Sequence, residues 1–429
     1  MTPAPAIVLL GPGGLAVAQR IRAALPECAL HAPRGRLPDL ETVAYDELAA
    51  HLRALYQAGR PILALCAAGI VIRVLGPILA DKRTEPPVIA IAEDGSVAVP
   101  LLGGHRGANR LARAIAEALG GRAAVTTAGD VRFDLALDDP PPGYILRNPE
   151  AAKPIMSALL EGRPVGLRLE AGDGSWLTSG GAGFGATGDL EVLLTDRDEP
   201  GTARQLVIHP KTLALGVGCE RGTAEAEALE LVRTTLASHG LAQDAIACVA
   251  SIELKAAEPA IHALALALGA PARFFLADAL EAEAARLVHP SEVVFAATGC
   301  HGVAEGAALA AAGPAGALVV AKTRSRRATC AIARAPAPID PLRVGRPRGT
   351  LAIIGLGPGD ARWRTPDAEA LLDGAEDWVG YRGYLDLLDR HRASRKVLHP
   401  FALGEEEARA RLALDLAASG RRVALVSSG

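Results

Sequence analysis

Three glycine-flanked stretches hold the side chains best suited to chemistry. In Gly103-Gly104-His105-Arg106-Gly107-Ala108-Asn109, an imidazole follows two glycines and precedes a helical pattern. A histidine near its reference pKa of about 6.5 can take or give a proton, and the amino end of a helix favours anionic ligand groups. Asn109 has the type and position of an N-cap. A structural histidine in a glycine turn is the competing reading. The second stretch, Gly355-Leu356-Gly357-Pro358-Gly359-Asp360, follows an apolar run and precedes Thr365-Pro366. Its glycines let the backbone turn sharply and approach a ligand with no Cβ in the way, at the carboxyl end of a strand, where open α/β sheets bind ligands. A lone GxGxG fits an ordinary strand–turn–helix corner equally well, and Asp360 suits a helix cap as readily as a polar role near a reacting group. In the third, Cys219-Glu220-Arg221-Gly222, Arg221 could tune a thiolate, although a buried small residue at a strand end is the commoner use of a free cysteine.

The elements that must position these groups alternate along the chain. Strand-like runs at Ala6–Leu10, Pro61–Leu65, Val88–Ile91 and Val97–Pro100 are interleaved with helical patterns at Leu15–Leu25 and Arg110–Leu119, and Ala123–Thr127 reads as a closing strand. Pro140-Pro141-Pro142-Gly143 marks a boundary. A smaller middle region follows, with a glycine-rich loop or tight hairpin at Ser179–Gly188. A second block runs from the strand Leu213–Val217 through a helix at Ala224–Ser238, a strand at Ile246–Ser251, a helix at Ala260–Leu268, strands near Phe274 and Val293, a helix at Val303–Ala312, and strands Ala317–Lys322 and Thr329–Ala333. Ala335–Gly349, rich in Pro, Arg and Gly, reads as a linker, and Leu351–Ile354 opens a fresh strand. The expected organisation is therefore 1–140, 141–210, 211–334, a linker over 335–348, and a last domain over 349–429. Because the chain stops just after the core strand Val423–Val426, that last domain is expected to be incomplete. The fold class is α/β, with several domains built on mainly parallel sheets.

Composition narrows the function. Of the 429 residues, 50% are hydrophobic and only 3% aromatic, so the cores must be built from Ala, Val, Leu and Ile. A net charge of −3, with no basic block beyond Arg324, Arg326 and Arg327, argues against nucleic acid as a partner. The six cysteines include no CxxC pair and suit reduced thiols in the cytoplasm. No signal peptide or membrane-spanning run is visible.

Longer stretches carry a resemblance. The runs CAAGIVIRVLGPILADKRTEPPVIAIAEDG from Cys66, LLGGHRGAN from Leu101 and AVTTAGD from Ala124 resemble the N-terminal half of cobalt-precorrin-5A hydrolase, the CbiG family. GVGCERG from Gly216, VASIELKAAEPAI from Val249, Gly302-Val303-Ala304-Glu305, Lys322 and Thr329 resemble its C-terminal domain. One departure stands out: Gly302 occupies a position where the family leads one to expect Ser. From Arg348 to Gly429, GLGPGD, Thr365-Pro366, Asp377-Trp378-Val379-Gly380-Tyr381, Tyr384-Leu385 and the terminal VALVSSG resemble the start of the tetrapyrrole methylases, and among them precorrin-3B C(17)-methyltransferase, the CobJ family.

The hydrolase resemblance implies opening of a δ-lactone on the corrin precursor with loss of acetaldehyde, which needs an activated water and oxyanion stabilisation. His105 is the first choice for acid–base work and Glu305 the alternative base. Arg73, Lys82 and Lys322 would hold substrate carboxylates, with Gly104, Asn109, Thr126, Thr127 and Arg221 as further substrate contacts. The methylase resemblance implies S-adenosylmethionine, bound along Gly355, Gly357, Pro358, Gly359 and Asp360 and at Ser427, Ser428 and Gly429, with catalysis chiefly by orientation. It also implies a homodimer through the methylase domain. No protein-bound metal is expected; any cobalt arrives inside the tetrapyrrole. Two readings of the first 334 residues stay open: a hydrolase fused to the methyltransferase, or a non-catalytic module that binds and delivers the tetrapyrrole.

Overall fold

The computed structural model describes residues 4–37, 42–81, 84–358, 360–388, 393 and 396–428, with the backbone but not the side chain of residue 105. The chain divides into two compact units. The first is Met1–Pro140 with Ser179–Ala182, and the second is Pro141–Thr178 with Gly183–Gly429.

The first unit is built on a seven-stranded sheet of β1 (Ala6–Leu9), β2 (Ala29–Pro33), β3 (Val43–Tyr45), β4 (Ile62–Leu65), β5 (Val88–Ile91), β6 (Val97–Leu102) and β7 (Arg122–Ala123), in the order β3-β2-β1-β4-β5-β6-β7. Strands β1 to β5 are mutually parallel; β6 runs antiparallel to β5 and parallel to β7. Every residue of β1, β4 and β5 is buried, as strands covered on both faces require. Alternate side chains serve opposite faces. Ile7, Leu9, Leu63, Leu65, Ile89 and Ile91 pack with Ile21 of α1 (Leu15–Ala24) and with Ile115 of the Ala108–Leu119 helix. Ala6, Val8, Ile62, Ala64 and Val88 pack with Leu52 of α2 (Leu48–Gln57) and with Val71 and Leu75 of α3 (Ala68–Leu75). The expected strand at Ala123–Thr127 stops after Ala123. There Thr127 becomes the N-cap residue of a short helix, Ala128–Phe133, because its hydroxyl turns to the Asp130 carboxylate.

The second unit carries three sheets. One has the order β10-β9-β11-β12-β8, from β8 (Tyr144–Leu146), β9 (Val165–Leu169), β10 (Phe184–Gly185), β11 (Leu190–Leu194) and β12 (Gln205–Pro210), with only β8 antiparallel. The next has the order β15-β14-β13-β17-β16, from β13 (Leu213–Cys219), β14 (Ile246–Ile252), β15 (Ala272–Phe275), β16 (Ala317–Arg324) and β17 (Ala328–Arg334). Here β13, β14 and β15 are parallel and β17 is antiparallel to β13 and β16. The last is wholly parallel, β18-β21-β19-β20, from β18 (Thr350–Gly355), β19 (Asp377–Tyr381), β20 (Val397–Phe401) and β21 (Arg422–Ser427). The α/β class with mainly parallel sheets is as expected. Val293 is not in a strand. Ser291 accepts the Val294 N–H and starts a helix, Glu292–Thr298, which leaves Val293 80% exposed; a cap outweighs the β-propensity of Val293 and Val294.

Two contacts organise this unit. Arg334 forks onto the buried Asp196 carboxylate, joining the loop after β11 to β17. The stretch after β17 runs along β15: Phe274 and Arg346 exchange both backbone hydrogen bonds at 2.9 and 2.7 Å, and the Arg273 guanidinium donates to the carbonyls of Val344 and Gly345. Among the described residues no single helix is long and apolar enough to cross a membrane.

A buried histidine pair gives the first unit a pH signature. His31 on β2 is 1% exposed, and its Nδ1 lies 2.9 Å from Nε2 of His51. Burial, and then the neighbouring His51 and Arg60, push the His31 ring down to about 3. The unfolded chain takes this proton near pH 6.5 and the folded one does not, so stability is present above about pH 6.5 and drains away as pH falls below it, by up to about 1.4 kcal/mol per pH unit. The melting temperature of the first unit should therefore fall between about pH 6.5 and 4, and His31→Leu should flatten that slope. An identical slope in the variant would rule out the pair as its source.

Candidate functional site

In the first unit, β6 runs against β5 and so delivers the GGHRG turn to the amino edge of the parallel strands. Gly103 has φ +76°, and a Cβ there would lie 2.5 Å from the Pro86 carbonyl, so this corner admits only glycine. Gly104 opens a 3-10 turn and has open space where a Cβ would be. Asn109 is not the helix cap; the helix starts at Ala108 with Gly107 before it. Its buried amide instead donates to Thr127 Oγ1 at 2.8 Å and to Asp130 Oδ2 at 3.1 Å, and Thr127 donates to the same carboxylate at 2.5 Å. Arg113 completes this network at 2.8 Å from Asp130. Asn109 and Thr127 thus come together on Asp130, with the exposed Thr126 next in the chain. Asp130 and Arg113 were not singled out from the sequence; the Thr-x-x-Asp spacing of a capping motif was the available signal. Arg73 is exposed in the last turn of α3 and donates to Gly69 O at 3.3 Å. Lys82 lies outside the described residues, as does the His105 side chain.

In the second unit, Glu305 sits in the first turn of the Val303–Ala312 helix and is 1% exposed. Four donors meet its carboxylate. Val288 N (2.8 Å) and His289 N (2.9 Å) bond to Oε2, and His289 Nδ1 (2.9 Å) and Lys322 N (2.9 Å) bond to Oε1. Burial works to raise this carboxyl's pKa, but these hydrogen bonds outweigh it and hold the group below the usual range. An ionised carboxylate so fully engaged is a poor acceptor for a water proton, so the expectation of Glu305 as a base gives way to Glu305 as a clamp. The Lys322 N–H is available because the β16–β17 register shifts between Val320 and Thr323. Lys322 Nζ donates to His289 O at 3.0 Å, which uses one of the three donors of the ammonium.

Gly302 caps the helix in extended backbone (φ −168°), and a Cβ there would come to 3.0 Å from Leu287. The glycine therefore fits its own neighbour, where a serine would press on Leu287. Val303 packs over Gly218, which sets the helix amino end at the carboxyl end of β13. Arg221 is exposed, and its carbonyl accepts from Arg327 at 2.7 Å. Burial pushes the Cys219 thiol up, with Lys255 pulling the other way, so Cys219 is a neutral thiol rather than an activated thiolate.

In the last sheet, Gly355 pairs with Ser427, and Leu356 N bonds to Ser427 O at 2.9 Å. The loops holding Gly355, Gly357 and Pro358 and holding Ser427 and Ser428 therefore leave neighbouring strands side by side. Gly359 and Gly429 lie outside the described residues. Asp360 accepts from Arg362 N at 2.9 Å and caps the turn Ala361–Trp363, while the Arg362 guanidinium holds its carboxyl below the usual range.

Two family models match this chain: Cobalamin synthesis G N-terminal over residues 50–130, and Cobalamin synthesis G C-terminus over 213–333. A cobalt-precorrin-5A hydrolase from Salmonella typhimurium is 30% identical over 292 residues, covering 64% of this chain and 82% of its own length. The chain belongs to the cobalt-precorrin-5A hydrolase family. It is thereby a protein of cobalamin biosynthesis. Protein CobE from Sinorhizobium sp is 52% identical over 121 residues, 28% of this chain and 79% of that protein. A precorrin-3B C(17)-methyltransferase, also from Sinorhizobium sp, is 38% identical over 81 residues, 19% of this chain and 31% of that protein. The chain thus spans about a third of that methyltransferase's length. Within the family's two matched regions lie the Asn109–Thr127–Asp130 network and the Glu305 clamp.

The clamp makes a stability prediction. Glu305→Ala removes the shared acceptor of four donors and should cost about 2–4 kcal/mol, read from the denaturant midpoint. A loss under about 1 kcal/mol would mean that other contacts hold the Val288–His289 loop.

Proposed function

We propose that residues 1–334 open the δ-lactone of cobalt-precorrin-5A and release acetaldehyde, and that residues 349–429 contribute S-adenosylmethionine-binding loops to a precorrin-3B C(17)-methyltransferase. The observation that carries the first part is membership of the hydrolase family across both of its model regions. The second part is supported by the register that sets Gly355 beside Ser427, since glycine loops at the carboxyl ends of adjacent parallel strands suit a cofactor.

In this reading the macrocycle's many carboxylates are met by Arg73, Lys82, Arg221 and Lys322, while Gly104, Asn109, Thr126 and Thr127 shape the contact in the first unit. His105 supplies acid–base function there. Gly355, Gly357, Pro358, Gly359, Asp360, Ser427, Ser428 and Gly429 line the cofactor, and the protein's contribution to methyl transfer is alignment of the sulfonium with the ring carbon. We place the protein in the cytoplasm, as a homodimer through the methylase part.

One observation favours a second reading. Over 28% of the chain the match to Protein CobE, a relative not named as a hydrolase, is at 52% identity, against 30% for the hydrolase over 64%, which keeps open a module that binds and delivers the tetrapyrrole without reacting.

One assay separates the two. The chain is incubated with cobalt-precorrin-5A, and acetaldehyde is followed through alcohol dehydrogenase and NADH. Release is expected, and His105→Ala should slow it at least about 100-fold. Binding without release would leave the delivery module standing. For the cofactor loops, titration with S-adenosylmethionine should shift the amide resonances of Gly355, Gly357 and Ser427 first. Shifts confined to other regions would remove these loops from the site.

A further inference from the structure

We infer that His289 is an acid–base catalyst of the second unit, its Nε2 serving as the base that takes a proton from the water attacking a lactone carbonyl. This rests on the hydrolase reading above and adds to it a residue that the sequence did not single out.

The geometry is that of an oriented imidazole. Glu305 grips His289 twice, at the backbone N–H (2.9 Å) and at the ring Nδ1 (2.9 Å). An ionised carboxylate is an acceptor only, so Nδ1 carries a proton, and in the neutral ring the lone pair is then on Nε2. The Glu305 side chain is 2% exposed and the His289 side chain 50% exposed. The ring is thus anchored through its inner edge, with the Nε2 edge on the solvent side. Among the described residues no hydrogen-bond partner of Nε2 is found. The orienter is itself fixed by Val288 N and Lys322 N, and Lys322 Nζ holds the His289 carbonyl; these two charged side chains, Glu305 and Lys322, are the ones bonded to His289. A base aimed by a second group that is aimed by a third is the arrangement that general-base catalysis asks for.

His301, which lies close by, serves as a contrast. His301 is engaged at both ring nitrogens, by Glu281 at 2.9 Å and by Glu292 at 3.5 Å, and is stacked on Phe295. It has no free lone pair to offer. The His289 cluster also stands where a ligand of an α/β sheet would, since Glu305 is in the first turn of the helix whose Val303 covers Gly218 at the carboxyl end of β13.

The step balances with water as its only co-reactant. Nε2 takes one proton from water as its oxygen bonds to the lactone carbonyl carbon. The tetrahedral intermediate collapses with cleavage of the ring C–O bond. The departing alkoxide takes the proton back from the imidazolium, leaving a carboxylic acid, an alcohol and a neutral His289.

The test uses the full chain with cobalt-precorrin-5A and the acetaldehyde readout. In His289→Asn, the amide can still donate to Glu305 but there is no base at the Nε2 position. Its kcat should fall about 10²–10⁴-fold, while KM and the melting curve stay as in the wild type. In His289→Ala, added imidazole should restore part of kcat. A wild-type chain that releases acetaldehyde, with His289→Asn within about threefold of it, overturns the role of His289 and leaves the hydrolase reading intact. Loss of kcat in His289→Ala that imidazole leaves untouched also counts against it. A wild-type chain that releases none overturns both.

Discussion

The carboxylate of Glu305 is the interaction that ties the Val288–His289 loop and β16 to the Val303–Ala312 helix. A buried charge is tolerated only when its lone pairs are met, and here the donors come from a loop and an edge strand far apart in sequence. Their meeting requires the Val303–Ala312 helix to lie almost against the backbone of β13. A Cβ at Gly216 would be 1.9 Å from Ala304 O, so that approach exists only because residue 216 is glycine. The small side chains of the helix serve the same end, with Ala304, Ala307, Ala308 and Ala311 all buried. The Ala-rich composition is thus a condition for closeness, and closeness is what carries Glu305 to the sheet edge.

The C-terminal sheet shows how strand order assembles a pair of loops. β18 opens this region and β21 ends it, yet the order β18-β21-β19-β20 makes them neighbours. Two glycine-bearing turns separated by some seventy residues therefore share one hydrogen bond, Leu356 N to Ser427 O. At the other end of the same sheet, the buried Asp377 is met by His399 and Arg421. Burial works to raise the Asp377 carboxyl, and these two partners outweigh it. That cluster lies at the amino ends of the strands, away from the glycine turns, and holds β19, β20 and the approach to β21 in register.

Much of this was legible in the sequence. Apolar runs such as Val88–Ile91 and Leu213–Val217 are strands because they are bounded by turn residues and covered on both faces. Thr365-Pro366 starts its helix where the residue types say it should. What escaped the sequence depended on side chains meeting across space. Asn109 looks like a cap but lies inside its helix, because Gly107 in the left-handed region ends the preceding turn and frees Asn109 to reach Thr127 and Asp130. Val293 and Val294 look like a strand, yet a single serine hydroxyl decides for helix. His289 had no recognisable motif, since its partner is 16 residues away on another element. The four donors that meet Glu305 cannot be counted from spacing either.

The pairing of Phe274 with Arg346 has an implication beyond joining two sheets. β15 is the outer strand of its sheet, and an outer strand presents a row of peptide groups that any passing extended chain can template upon. The connecting stretch occupies part of that row with its own backbone, and Arg273 pins the carbonyls of Val344 and Gly345 beside it. A Cβ at Gly345 would lie 2.9 Å from the Phe274 carbonyl, so glycine there permits this close approach. A segment that composition marks as a spacer thus acts as a selvedge, finishing the sheet so that it does not fray into self-association.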